Sequence, residues 1–149
     1  MLRGTFGGRY GDTSGRPYLE GRLILPRIGI AGNISFLVDT GADASMIMPL
    51  DGKRLGIDYS QLQGDAVSFG LGGEIHSFLE DAILVFTEPG SALYLYNIEI
   101  DIPPPDPALP DDLPSLLGRD ILDRWRMTYS PSRKNLTFKV FEADDIIHL

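Results

Sequence analysis

The chain predicts a mostly β domain, and three observations carry that expectation. Its apolar residues come in runs of three to ten, too short for most helices. Glycine and proline separate the runs, and these residues punctuate strands rather than continue them. The chain has 149 residues, 43% of them hydrophobic, enough for one domain with a core of its own.

Taken in order, residues 1–17 hold five glycines and three arginines. That composition predicts a flexible N-terminal arm, with the domain proper over residues 18–149. Strands are expected at Leu23–Leu25, at Ile28–Ile30 and, after a turn at Ala31-Gly32-Asn33, at Ile34–Val38. Further strands are expected at Val67–Leu71, Ala82–Phe86, Leu93–Ile102, Met127–Tyr129 and Leu136–Phe141. Ser130–Asn135 reads as the turn of a hairpin joining the last two. Pro49–Leu55 fits one or two helical turns. Arg119–Trp125 fits a short helix, because Ile121, Leu122 and Trp125 share a face. Residues 103–114 hold six of the eleven prolines and predict a stiff surface loop.

Composition narrows the chemistry. There is no cysteine, which excludes a thiol nucleophile, a disulfide framework and a cysteine metal site. The first 100 residues carry 7 basic and 12 acidic side chains, and the last 49 carry 6 and 9. Neither part is basic, so neither a nucleic acid nor a membrane is an expected partner. No run approaches the ~20 apolar residues of a membrane span. The first residues lack the apolar stretch of a secretory signal, and the expected location is the cytoplasm. His76 and His148 lie far apart and read as surface histidines. Asp111-Asp112 and Asp144-Asp145 read as solvated charge, since no loop of EF-hand spacing surrounds them.

One segment points to catalysis. Phe36-Leu37-Val38 runs directly into Asp39-Thr40-Gly41-Ala42-Asp43. A strand entering an acid holds the carboxylate in a fixed place. Gly41 lets the backbone turn and donate an N–H toward it, and Thr40 supplies a hydroxyl. Taken alone, the tripeptide also reads as a strand ending in a solvated turn. A second segment, Val67–Ile75, reads as a hairpin with Gly70, Gly72 and Gly73 about Leu71 at its tip. Such a tip can lay backbone amides against an extended ligand. A third, Leu116-Leu117-Gly118-Arg119-Asp120, leads two bulky apolar residues and a glycine into the short helix.

In this order the three segments resemble the retroviral-type aspartic proteases and their single-lobe cellular and bacterial relatives. The resemblance covers roughly residues 20–142. It implies a small closed β-barrel with one short helix near the C-terminal end. It also implies an aspartic endopeptidase that works as a homodimer on polypeptide, without cofactor or metal. Asp39, Thr40 and Gly41 would then be catalytic. Ala42, Asp43, Gly70, Leu71, Gly72 and Gly73 would contact substrate, and Arg119 would form a partly buried ion pair with Asp43. Ala44 and Glu74 depart from the viral pattern, as does the longer chain after Asp120, so the resemblance does not define substrate preference or interface. A dimeric binding or scaffolding module of the same fold that does not cleave is the alternative.

Overall fold

The computed structural model of the chain describes residues 1–7, 15–70 and 73–149, with backbone alone at 66–70 and 73–75. Eleven strands are described: β1 (Leu2–Arg3), β2 (Thr5–Phe6), β3 (Pro17–Leu25), β4 (Ile30–Val38), β5 (Ala66–Gly70), β6 (Gly73–Glu88), β7 (Ala92–Ile102), β8 (Leu116–Leu117), β9 (Trp125–Ser130), β10 (Asn135–Val140) and β11 (Asp145–His148). Two short helices, α1 (Pro49–Leu55) and α2 (Arg119–Leu122), complete the set. Six strands run in the order β11-β7-β6-β3-β4-β8, with β2 added on β3, and β5 pairs with β6. A separate sheet has the order β1-β10-β9.

The mostly β architecture follows from alternation. Along β4, Ile34, Phe36 and Val38 are buried while the residues between them are partly exposed. Along β6, Ala82, Leu84 and Phe86 point inward, and β7 answers with Tyr96, Ile100 and Ile102. Period-2 alternation of this kind places one face of a sheet on the core. Phe86, Tyr96, Trp125 and Phe138 meet edge to face there, with centroids 4.8 Å apart for Phe86–Trp125 and 5.3 Å for Trp125–Phe138. Such geometry sets the positive edge of one ring on the negative face of the next. The single tryptophan thereby ties the β1-β10-β9 sheet to the larger one.

Several expectations need correction. The described pairings do not close into a barrel. The larger sheet ends at β8, only two residues long, and the β9–β10 hairpin takes β1 into its own sheet. The N-terminal residues do not form a loose arm up to Phe6. Leu2 is 1% exposed, β1 pairs with β10, and the Gly4 amide donates to the Leu136 carbonyl at 2.8 Å. Burial of Leu2 and the strand hydrogen bonds outweigh the glycine content, while residues 8–14 lie outside the described residues.

The turn expected at Ala31-Gly32-Asn33 belongs to β4, which pairs with β3 from Ile30 to Leu37. The true turn, Pro26–Ile28, lies earlier, where proline starts a 3-10 turn. A Cβ at Gly32 would lie 2.2 Å from Leu55 Cδ2, so the end of the Leu55 side chain of α1 packs directly over this strand. The second helix stops at Leu122, and Trp125 opens β9 instead. Asp144 is not merely solvated. It accepts from the Asn97 amide at 2.7 Å and from Arg124 Nη2 at 2.9 Å. β11, absent from the sequence reading, follows immediately and pairs with β7.

Candidate active site

Asp39 follows the last residue of β4. Its amide donates to the Leu117 carbonyl at 3.0 Å, which extends the parallel β4–β8 pairing by one step. The Gly41 amide donates to Asp39 Oδ1 at 2.9 Å, and the Ala42 amide donates to the Asp39 carbonyl at 3.2 Å. The carboxylate therefore sits in a tight turn, oriented by the amide two residues on. Asp39 is half-buried, whereas Thr40, Gly41 and Asp43 are exposed. A carboxylate held rigidly at an open rim can act on a molecule that approaches from outside.

The turn is fastened to the segment that opens α2. The Arg119 amide donates to the Ala42 carbonyl at 2.8 Å, and the Asp120 amide to the Asp43 carbonyl at 3.2 Å. Ser45 is fully buried, and its hydroxyl donates to Asp120 Oδ1 at 2.7 Å while accepting from the Gly118 amide at 3.0 Å. The Ser45 amide donates to the other Asp120 oxygen at 2.9 Å. Gly118 has to be glycine. A Cβ there would lie 2.6 Å from the Ala44 carbonyl carbon and 2.9 Å from the Ala42 oxygen. Two segments more than seventy residues apart thus form one rigid unit around Asp39.

Asp101 lies beside this unit. Its amide donates to the Ser45 carbonyl, and its carbonyl accepts from the Ile47 amide. Burial pushes the Asp101 carboxyl above the usual carboxylate range, and the nearby Asp120 charge pushes in the same direction. Sequence reading missed Ser45, Asp101 and Asp120 as parts of the site. Only Asp120 stood in a recognised segment, and nothing local marks a serine whose partners are 73 and 75 residues away.

Arg119 and Asp43 form an ion pair. It is not partly buried in the single chain: the two side chains are 46% and 86% exposed. The pair projects from the rim because the backbone hydrogen bonds of both residues already hold the chain beneath it. Gly70 and Gly73 face each other at the end of the β5–β6 hairpin. Leu71 and Gly72, also expected to contact substrate, lie outside the described residues. A cleft of about 780 Å³ bounded by Arg3, Glu20, Arg22, Val85 and Glu88 contains none of these site residues. Among the described residues, no group of three or more His, Asp or Glu side chains could hold a metal ion. No described helix is long and apolar enough to cross a membrane.

No family model matches the chain, and no curated protein matches it. Solved structures do match. A retropepsin-like aspartic protease from Rickettsia conorii superposes with a TM-score of 0.59 at 18% identity, over 100% of this chain and 92% of the other. EIAV protease complexed with the inhibitor HBY-793 aligns over 74% of this chain and 88% of its own, at 22% identity and a TM-score of 0.49. The chain has a retropepsin-like fold.

Proposed function

We propose that this chain is one protomer of a homodimeric aspartic endopeptidase, with Asp39 as its half of the catalytic pair. The observation that carries the reading is the Asp39 turn: a carboxylate oriented by the Gly41 amide, on backbone pinned to the Leu117 carbonyl, at an exposed rim of a retropepsin-like fold. A single carboxylate cannot be both general base and general acid in one step. The chain has one Asp-Thr-Gly, so the second acid is supplied by a second copy of Asp39 across a two-fold axis.

In such a pair the two carboxylates share one proton, because like charges a few Å apart resist double ionisation. The ionised Asp39 takes a proton from water, which attacks the scissile carbonyl carbon. The protonated Asp39 donates to the carbonyl oxygen, giving a tetrahedral diol. Collapse then returns a proton to the leaving nitrogen and breaks the C–N bond. Thr40 and Gly41 hold the pair. Ala42 and Asp43, with the glycine tip of β5–β6, hold the extended polypeptide, and the Arg119–Asp43 pair lies close to the second copy.

Asp39→Asn tests this. Asparagine keeps the shape and an acceptor oxygen but cannot take a proton from water. Cleavage of a peptide library should fall by at least ~10²–10⁴-fold, while the fold and assembly persist. Parent protein that cleaves nothing from acidic to neutral pH would favour the non-catalytic binding module. Equal cleavage by parent and variant would remove Asp39 from the chemistry.

A further inference from the structure

We infer that Arg27, whose side chain is 37% exposed, and the buried Glu80 form a clamp that sets the direction in which the β5–β6 hairpin leaves the sheet. Its consequence for substrate handling rests on the peptidase reading above. The alternation that points Ala82, Leu84 and Phe86 at the core also points Glu80 inward, and Glu80 is 4% exposed. A carboxylate there is costly unless it is paired. Its partner comes from the turn between β3 and β4. Arg27 Nε donates to Glu80 Oε2 at 3.2 Å, and Arg27 Nη2 donates to Glu80 Oε1. The same Nη2 donates to the Gln61 carbonyl at 2.6 Å.

The two groups that Arg27 bridges flank the hairpin. Gln61 precedes β5, and Glu80 follows Ser77, the last β6 residue paired with β5. Gly64 lies between Gln61 and β5 with φ +80°. A Cβ there would meet the Leu79 carbonyl oxygen at 2.5 Å, so the incoming arm presses on the outgoing one just above the clamp. Among the described residues β5 pairs with β6 alone. No other described strand therefore fixes where the hairpin points, which leaves that role to its base.

Stability alone does not account for a charge at this core position. An ion pair with one exposed partner contributes little net stability, whereas a planar guanidinium can hold two groups in one geometry. Arg27 joins segments 34 and 53 residues away.

The test uses the full chain and two variants. Arg27→Met alone would strand the Glu80 charge, so the first variant is the double change Arg27→Met with Glu80→Leu. The second, Arg27→Lys, keeps the charge and loses the fork. Hydrogen exchange is followed by mass spectrometry on peptides covering residues 62–79, with β3 and β4 peptides as internal controls. The double variant should melt within about 4 °C of the parent. Its hairpin amides should exchange about tenfold faster or more, with the controls unchanged, and Arg27→Lys should fall between. Hairpin exchange that stays at the parent rate, or that accelerates only in step with the controls, overturns the clamp. Where the parent cleaves peptides, KM should rise severalfold more than kcat falls. A parent without cleavage whose hairpin still loosens in the double variant removes the peptidase reading and leaves the clamp standing.

Discussion

Ser45 shows how much of the site depends on one hydroxyl. It is fully buried and satisfies the Gly118 amide and one Asp120 oxygen together. Ser45→Ala leaves both without that partner, and a buried polar group deprived of its hydrogen bond costs about 1–3 kcal/mol. The variant should unfold at correspondingly lower denaturant with unchanged slope, and peptide cleavage should fall with it. An unchanged midpoint would mean that the clasp does not bear on stability. Asp101 acts in the opposite sense. Its folded-state proton affinity is raised by burial and by Asp120, so the folded protein holds the proton more tightly than the unfolded chain. The contribution of such a group is fully favourable below the unfolded value of 3.8 and is lost as pH rises through the folded value. Asp101→Asn removes the ionisation. It should raise the melting temperature at pH 7, with the gain vanishing near pH 3. A variant that melts lower than the parent at pH 7 would show that the charged form is held by contacts that outweigh burial.

At the scale of elements, the strands with a strong period of two were legible in the sequence, as was the hairpin turn at Ser130–Asn135. The 3-10 turn Pro131–Arg133 and Lys134 at φ 50° sit there, with Tyr129 opposite Leu136. Local spacing carries that information. The turn after Asp39 was legible for the same reason, since the bond from the Gly41 amide to the Asp39 carboxylate spans two residues. β11 was not. Asp-Ile-Ile-His has no alternation, and all four residues are exposed. What holds the strand is a lock made elsewhere. Arg124 reaches Asp144, the Asp144 amide donates to the Leu95 carbonyl, and the Tyr96 hydroxyl donates to the Glu142 carbonyl. The hydrogen bond from Arg124, then that from the Asn97 amide, holds the Asp144 carboxyl below the usual carboxylate range. A depressed folded value gives stability that is present above 3.8 and lost as pH falls through the folded value. β11 amides should therefore lose exchange protection on acidification below about pH 4, ahead of β3 and β4. Asp144→Asn should bring the same loss at neutral pH. Simultaneous loss across all three strands would show that β11 is not a separate unit.

For the whole molecule, charge sets the conditions under which two copies can meet. Each chain carries a net −8, with a sequence pI near 4.6. Two such bodies repel on approach, and this repulsion opposes any short-range attraction at the rim around Thr40 and Asp43. Its range follows the screening length, about 30 Å at 0.01 M salt and about 10 Å at 0.1 M. Dimerisation at pH 7 should therefore tighten as salt is added. It should also tighten as pH falls toward 5, where net charge shrinks while the Asp144 lock is intact. Sedimentation equilibrium across ~0.01–0.3 M salt should show the dimer Kd falling at least about threefold. Acidification at constant low salt should produce a comparable fall. The salt dependence comes from charge outside the Asp39 pair, so Asp39→Asn should show the same salt trend as the parent. A Kd that rises with salt would mean that opposite charges across the interface, such as Arg119 against an acid of the second copy, outweigh the overall repulsion. A chain that remains monomeric throughout at assay concentration would leave each Asp39 without its counterpart, and the paired-carboxylate chemistry would fall with the assembly.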